Sequence, residues 1–589
     1  MDNSFTETLQ FTPEEQANNA RLLAALPIAS SVFRRERIVD YEVVEMAALL
    51  RSGDLTSTEI TVAYINRIGL FNGTFETYDE NGGYNAFVRI DTEQSLEQAR
   101  LADLWLQNPG DERGPAPPLC GIPMGVKDSI GIEGRKSTNG SEAFSLNIAL
   151  KDATCVAKLR AQGAVLLGHN TCSAYSGSTT GTFAGNAWDP DRIPGGSSQG
   201  SGVAPIARLA AASLGEETGG SLIVPTAANG ASGIKPSLGL VSVAGLMPGQ
   251  NGLDVIGPVC RSMRDASMIL SVISGSDQIN DPHTLSAPIP LPELPITPQD
   301  HPQPLQGLTI GIPQKDWMHP WKVPPADTYD VDYKAAFDRF KEQLTQLGAT
   351  LVSFPFLDLS DNQDAPFSAV EVLGTLPDKD GYDVTITPMS AVFLSNLYET
   401  RQGPAIEAFA VDISPEHSTE LLLRYDPENF LKVNGSIPIA WRAEGERRRR
   451  LEQAGCQQAL DAKGVDFMMV MPLGAHIGRR FVEEGLPNQR ANYPSPNLQG
   501  WPMLSFPIGY GETGVPLKLP INAAFWGPRF SEALIIQAAI DFQHHFPDYH
   551  NDAPPDPVFT TRRPANVPRV QPETPENTTD PLIRQRARS

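Results

Sequence analysis

Two serine-bearing loops hold residues whose types and spacing could perform nucleophilic catalysis. The stretch "PGGSSQGSG", residues 194–202, contains four glycines and three serines. The loop "GEETGGSLIVP", residues 215–225, places Ser221 directly after Gly219 and Gly220. Successive glycines let backbone N–H groups point into one concavity. Such a concavity beside a serine hydroxyl is typical of an oxyanion hole next to a nucleophile.

A candidate base precedes both loops. Lys127 lies in the apolar, glycine-flanked segment "GIPMGVKDSIG", residues 121–131. Burial disfavours the charged form of a lysine, so that its amine can accept a proton. Serine with lysine is a known alternative to serine with histidine, and this set needs no histidine.

Other interpretations of the serine-rich stretch fit less well. The segment after it, "VAPIARLAAASLG", predicts a buried helix with Pro205 near the first turn, and a flexible linker would not lead straight into such a helix. A Walker-type phosphate loop ends in Gly-Lys-Ser/Thr, which this stretch lacks. Taken singly, each motif is more typical of a surface turn or of a lysine paired with an acid. Only their order and spacing indicate catalysis.

Alternating strands and helices are predicted around these loops. Residues 43–68 predict two helices split by a turn, with Ser57 or Thr58 as the N-cap of the second. The other predicted elements are a helix over 92–107, a buried strand with turns over 119–132, a helix and a strand over 152–170, a strand–helix–strand unit between 305 and 354, and a helix and a strand over 446–472. Such alternation indicates an α/β fold with a largely buried sheet.

The three motifs together resemble the amidase signature family. The family pattern is "G-[IV]-P-x-x-[VI]-K-D", then "G-G-S-S-x-G-S", then a "G-G-S" or "D-G-S" loop. The two key serines of the family are 24 residues apart, as are Ser197 and Ser221 here. The resemblance is dense over residues 42–275 and thin over 305–545.

The resemblance implies a role for each matching residue. Ser221 would be the nucleophile, and Ser197 would relay its proton to Lys127, the unprotonated base. The Gly196–Ser197 peptide bond would be cis. The oxyanion hole would be formed by the backbone N–H groups of Thr218, Gly219, Gly220 and Ser221. Ser198 and Glu217 would support this network, and no cofactor or metal ion takes part.

Two segments depart from the family pattern. Where many members read "G-T-D-x-G-G-S-I-R", this chain reads "GEETGGSLIV", with Glu217 for the acid and Ile223 for the arginine. This resembles the peptide-amidase-like subgroup, which carries "G-T-E-T-D-G-S-I". The family's "G-K-T-N-x-x-E" becomes "GHNTCSA", residues 168–174, so we expect Cys172 and Ser173 to border the substrate pocket.

The resemblance also implies a single large fold, in which helices cover both faces of a mixed central β-sheet. We expect residues 1–39 to form an N-terminal extension, 40–550 the amidase signature domain and 551–589 a C-terminal tail. The proline-rich segment 277–305 is predicted to be an extended surface connection between two halves of this fold.

Composition narrows the class of protein. With 46 Lys+Arg against 69 Asp+Glu, the net charge is −23, which argues against nucleic acid or an anionic membrane as the main partner. Five cysteines without a C-x-x-C spacing suggest reduced thiols in a cytoplasmic protein. The acidic, polar N-terminus does not resemble a secretory signal, and no apolar run is long enough to predict a membrane span.

Three other groupings have simpler interpretations than chemistry. The histidines of "FQHHFPDYH", residues 542–550, are expected at the end of a surface helix rather than in a metal site. The run "RRRR", residues 447–450, is flanked by glutamates and predicts a solvated helix face. Cys172 with the nearby His169 is a weaker nucleophile candidate than the serine–lysine set.

The function predicted from these features is an amidohydrolase that cleaves a linear C–N amide bond through a seryl acyl-enzyme. Three alternatives stay open: a carbamate or ester hydrolase of the same mechanism, a component of an amidotransferase, and a binding protein that kept the fold without the activity. A small-molecule amide or related acyl compound is the expected partner. The identity of that substrate and the oligomeric state, a homodimer among the options, are not predicted.

Overall fold

A computed structural model gives the fold of residues 11–32, 37–76, 82–108, 110–176, 184–249, 252–313, 331–354, 409–410, 439–480, 494–511, 518–557 and 559. The predicted α/β class is confirmed, because an eleven-stranded mixed sheet runs through the molecule and helices flank it. None of the helices in these ranges is both long and apolar enough to cross a membrane.

The strands that the structure describes are β1 Phe87–Ile90, β2 Pro123–Lys127, β3 Ile148–Ala149, β4 Val165–Asn170, β5 Ala212–Glu217, β6 Ser232–Lys235, β7 Val255–Cys260, β8 Thr309–Pro313, β9 Thr350–Phe354, β10 Phe409–Ala410, β11 Phe467–Val470, β12 Met503–Gly511 and β13 Leu519–Trp526. The α-helices are α1 Pro13–Ala24, α2 Ala29–Val32, α3 Val43–Ser52, α4 Ser57–Phe71, α5 Thr92–Gln107, α6 Thr154–Ala161, α7 Gln199–Ile206, α8 Ile223–Asn229, α9 Met263–Ile273, α10 Val331–Gln346, α11 Ile439–Lys463, α12 Pro494–Gln499, α13 Glu532–His545 and α14 Asp548–Asn551.

The main sheet has the strand order β1-β4-β2-β5-β7-β6-β12-β13-β11-β8-β9. Strands β4, β2 and β5 run parallel to one another, as do β11, β8 and β9, and the remaining neighbours pair antiparallel. Strands β2 and β5 are buried along their whole length, as are β4 and β7 on either side of them. Because these strands are buried on both faces, the loops that follow them begin at fixed positions.

Most predicted elements are found where the sequence placed them. Helix α5 spans the predicted residues 92–107, and the strand–helix–strand unit between 305 and 354 is β8, α10 and β9. The N-cap of α4 was placed wrongly. It is Thr56, whose Oγ1 accepts from Glu59 N at 3.1 Å while the Glu59 carboxylate accepts from Thr56 N at 2.9 Å. This reciprocal capping box selects Thr56 over Ser57 and Thr58.

The segment that follows the serine-rich stretch also differs from the prediction. Helix α7 begins at Gln199, inside the stretch, and Pro205 lies near its end rather than in its first turn. The chain then forms β5 instead of continuing as a helix. The helix stops at Ile206 because Arg208, just beyond it, adopts the left-handed conformation with φ 60°, through which a right-handed α-helix cannot continue.

The predicted N-terminal extension packs on the main body. Leu22 of α1 is fully buried, and Asn18 Nδ2 donates to Ser271 O of α9 at 3.1 Å. Arg21 Nη1 donates to Leu294 O of the proline-rich segment at 2.8 Å. That segment lies mostly at the surface, although Leu294 and Ile296 anchor it in the core. Most of the predicted C-terminal tail lies outside the described residues.

Candidate active site

The carboxyl ends of two parallel strands bring a lysine and a carboxylate together. Strands β2 and β5 are parallel neighbours, so both end at the same edge of the sheet. Lys127 is the last residue of β2, and Glu216 lies one residue from the end of β5. Lys127 Nζ is 2.5 Å from Glu216 Oε2, and both side chains are completely buried. A buried pair of this kind is isolated from the screening of bulk water.

The predicted relay serine contacts this pair. Ser197 Oγ lies 2.7 Å from Lys127 Nζ, and Ser197 is buried. The Gly196–Ser197 peptide bond is cis, as predicted. Ser173 N donates to Ser197 O at 2.9 Å, which fastens the loop to the chain that follows β4. The structure therefore brings Lys127 and Ser197 within hydrogen-bond distance.

Ser198 joins the two serine loops and strand β5. Its backbone N–H donates to Ser221 O at 2.9 Å. Its hydroxyl donates to Glu216 O at 2.9 Å and accepts from Glu216 N at 3.1 Å. Every one of these contacts is buried, so Ser198 sets the distance between the Ser197 loop and the Ser221 loop.

Glu217 holds the turn that carries Ser221. Its carboxylate accepts from Gly220 N, from Leu222 N at 2.5 Å, from Ile223 N at 3.0 Å and from Asn497 Nδ2 at 3.1 Å. Burial raises the pKa of Glu217, and the N–H donors of Leu222 and Ile223 act in the opposite direction. The carboxylate takes the place of the peptide carbonyls that would otherwise satisfy these donors.

Ser221 lies two residues before helix α8 and is 9% exposed. Within the described part of the chain its hydroxyl makes no hydrogen bond. The same holds, among these residues, for the backbone N–H groups of Thr218, Gly219 and Ser221. The fourth N–H predicted for the oxyanion hole, that of Gly220, donates to Glu217 instead. Three N–H groups of the predicted set therefore have no hydrogen-bond partner among the described residues.

The two residues expected at the substrate pocket are both buried. Ser173 Oγ accepts from Gln199 Nε2 at 2.8 Å, and Cys172 Sγ lies 3.8 Å from Asn139 Oδ1. Burial raises the pKa of the Cys172 thiol and lowers the pKa of His169 to about 4. At neutral pH both groups are therefore uncharged, and neither has the character of a thiolate–imidazolium pair.

The histidines of residues 542–550 and the arginine run of residues 447–450 were the other groupings in the sequence. Among the described residues, no cluster of three or more His, Cys, Asp and Glu side chains could hold a metal ion. His544 and His545 lie at the end of α13, as predicted. Within the arginine run, Arg450 is exposed as expected. Arg449 is buried, and its guanidinium donates to Gly252 O at 2.9 Å.

Glu216 was not predicted from the sequence. Glu217 matches the acid of the family's loop, whereas the family patterns carry threonine where this chain has Glu216. The glutamate in place of threonine was the signal in the sequence that could have pointed to Glu216. Its meaning depends on the parallel register of β2 and β5, which places Glu216 beside Lys127 and which the sequence does not display.

Comparisons with known proteins agree with this architecture. A sequence model of the family described as Amidase matches residues 70–536. A protein from Thioalkalivibrio sulfidiphilus, named as the A subunit of glutamyl-tRNA(Gln) amidotransferase, is 30% identical over 87% of this chain and 98% of its own length. A protein of the same name from a Roseiflexus species is 29% identical over 87% of this chain and 97% of its own length.

A solved structure gives the same fold. The native peptide amidase from Stenotrophomonas maltophilia superposes with a TM-score of 0.65, covering 88% of this chain and 98% of that one. The two sequences are 24% identical. This likeness concerns the fold, which is of the mixed α/β class that the sequence resemblance implied.

Proposed function

The chain belongs to the amidase family, and from this premise we propose that it cleaves a carbon–nitrogen amide bond by acylation of Ser221. The observation that carries the proposal is the buried hydrogen bond of 2.7 Å between Lys127 Nζ and Ser197 Oγ. It lies beside the loop of Ser221, to which Ser198 ties it. A serine hydroxyl both donates and accepts, so Ser197 would pass a proton to Lys127 once the Ser221 hydroxyl, which makes no hydrogen bond among the described residues, donates to it.

The proposed reaction has two halves. Ser221 Oγ attacks the substrate carbonyl carbon while its proton moves through Ser197 to the Lys127 side of the network. The C–N bond then breaks, and the leaving amine takes up that proton by the reverse route. Water attacks the resulting acyl-enzyme, and Ser221 is released with its proton restored.

Backbone donors supply the proposed electrostatic stabilisation. The N–H groups of Thr218, Gly219 and Ser221 would donate to the oxygen that becomes negative in the tetrahedral intermediate. Glu217 would act as a positioning residue, since its carboxylate fixes the turn on which these donors lie. Removal of one such donor in other enzymes costs about 100- to 1,000-fold in rate.

A hydrolysis screen tests the proposal. Wild type, S221A and S201A are compared on aliphatic amides, anilides, peptide amides, carbamates and esters. Ser201 is a matched control, because it is a buried serine nearby whose hydroxyl donates to Leu214 O at 2.9 Å. We expect turnover by wild type and S201A and none by S221A. Turnover that persists in S221A would exclude the proposed nucleophile. The screen also separates an amidase from a carbamate or ester hydrolase.

A second candidate function is that of a component of an amidotransferase. The observation that favours it is the 30% identity to the A subunit of glutamyl-tRNA(Gln) amidotransferase over 87% of this chain. That function requires release of ammonia from glutamine and stable association with other proteins. Ammonia release by the purified chain, measured with glutamine and with a simple alkyl amide, discriminates the two. If the purified chain forms only a homo-oligomer, releases no ammonia from glutamine and hydrolyses the alkyl amide, the second candidate is excluded.

A further inference from the structure

Glu216 is a second buried partner of Lys127. Lys127 Nζ lies 2.7 Å from Ser197 Oγ and 2.5 Å from Glu216 Oε2, so the lysine bridges the serine and the carboxylate. The proposed function needs a proton acceptor at this point. We infer that Glu216 is the final acceptor of the proton that Ser221 loses, an inference that rests on the proposed role of Ser221.

The donors around Glu216 match an ionised carboxylate. Lys127 Nζ and Ser176 Oγ, the latter at 2.8 Å, both approach Oε2, while Thr218 Oγ1 lies 2.7 Å from Oε1. An ammonium nitrogen has no lone pair, so Lys127 can take the Ser197 proton only if it gives one of its own protons away. Glu216 Oε2 is the acceptor within reach.

The other side of Glu216 has room for a proton. Thr218 Oγ1 lies 2.7 Å from Glu216 Oε1 and 2.6 Å from Asp254 Oδ1. A threonine hydroxyl has one proton and can donate it to one of these oxygens only. When Thr218 donates to Asp254 Oδ1, its oxygen is left to accept from Glu216, so this contact fits a neutral as well as an ionised Glu216.

The proton transfers balance without any other reactant. The Ser221 Oγ–H bond breaks as Oγ bonds to the carbonyl carbon, and the proton goes to Ser197 Oγ. Ser197 gives its own proton to Lys127 Nζ, on the lone pair freed when Lys127 passes a proton to Glu216 Oε2. Lys127 ends as an ammonium and Glu216 as a neutral acid. The leaving amine recovers the proton when each transfer reverses.

The pH dependence of Ser221 labelling tests this assignment. The rate of reaction with a fluorophosphonate is measured from pH 5 to pH 10 for wild type, E216Q, E216D, S176A and S221A, each checked for folding by its melting temperature. Fluoride leaves without needing a proton, so the assay isolates the acceptor step. The side-chain amide of E216Q cannot accept a proton, and the Lys127 amine then forms only by loss of a proton to solvent. For E216Q we expect labelling at pH 7 slower by about 100-fold, and an acid limb displaced upward by at least about one pH unit.

The other variants separate a proton acceptor from a structural partner. E216D keeps a carboxylate and should keep the acid limb of wild type at a lower rate. S176A removes one hydrogen bond to Oε2 and should slow labelling less than about 10-fold without moving the limb. E216M, which also lacks a carboxylate and has a side chain of similar length, replaces E216Q if the latter does not fold.

Two results would overturn the inference, and they are distinguishable from one another. If E216Q labels within threefold of wild type, or more slowly by one constant factor at every pH, Glu216 is not the acceptor although Ser221 stays the nucleophile. If S221A labels at the wild-type rate, the proposed nucleophile is wrong and the role of Glu216 falls with it.

Discussion

Replacing Glu217 with alanine should loosen the turn that carries Ser221. The side chain accepts from three backbone N–H groups, those of Gly220, Leu222 and Ile223, and from Asn497 Nδ2. In E217A these donors stay buried and lose their acceptor. The turn then keeps only its backbone hydrogen bonds, such as those from Ser198 N to Ser221 O and from Val224 N to Gly220 O.

The magnitude follows from the number of donors left unpaired. A buried donor without an acceptor costs about 1–3 kcal/mol, so three N–H groups cost at least about 3 kcal/mol in local stability. E217Q is the matched variant. Its side-chain oxygen can serve Leu222 and Ile223, while its amide group faces Gly220 N and Asn497 Nδ2, so one backbone N–H loses its acceptor, at about 1–2 kcal/mol. A loss of 1.4 kcal/mol corresponds to a tenfold change in an equilibrium constant.

Hydrogen exchange of the turn measures this loss directly. We expect the peptide over residues 218–224 to exchange about 100-fold faster in E217A and about 10-fold faster in E217Q, because exchange reports the free energy of local opening. A peptide from α9 serves as an internal control that should not change. Equal exchange of the turn in wild type and E217A would refute the view that Glu217 holds it. Faster exchange in the α9 peptide as well would show a global rather than a local effect.

Three further predictions concern other residues near the site. S198A removes the two hydrogen bonds between its hydroxyl and the backbone of Glu216, so it should lower the melting temperature and slow fluorophosphonate labelling by about 10-fold; an unchanged labelling rate would show that Ser198 does not set the loop spacing. Because burial lowers the pKa of His169 from 6.5 to about 4, the folded protein binds fewer protons than the unfolded chain between these pH values, and its free energy of unfolding should fall by about 3 kcal/mol as the pH drops from 6.5 to 4. Denaturant titrations should show this pH dependence in wild type and a weaker one in H169Q, and equal slopes would contradict it. All five cysteines are buried thiols that form no disulfide, so native protein should react with iodoacetamide far more slowly than protein in guanidinium, as mass spectrometry can measure; a fast-reacting Cys172 would contradict its burial.

The sequence predicted the elements whose periodic patterns are long and regular. Helix α5 and the β2 strand that ends at Lys127 follow from local residue patterns, and they were placed correctly. Two local predictions were wrong: the N-cap of α4 and the length of α7. Thr56 rather than Ser57 caps α4, because Glu59 completes a capping box with it, and α7 ends at Pro205–Ile206 where a longer helix was expected.

The site was predicted only in part, because sheet register is not visible in the sequence. The contact between Lys127 and Ser197 and the cis bond before Ser197 follow from the matched motifs. The contact between Lys127 and Glu216 arises from the pairing of β2 with β5, which joins residues far apart in the chain. The N–H of Gly220 was assigned to the oxyanion hole because the reach of the Glu217 side chain could not be known.

The most direct test of the account is to locate the covalent adduct. Wild type, S221A, S197A and K127A are treated with a fluorophosphonate at pH 8, weighed intact, and digested to map the modified residue. We predict one adduct on Ser221 in wild type, none in S221A, and adduct formation slowed at least about 100-fold in S197A and K127A. An adduct on another residue, or one that forms in S221A as fast as in wild type, would contradict the central claim that Ser221 is the nucleophile.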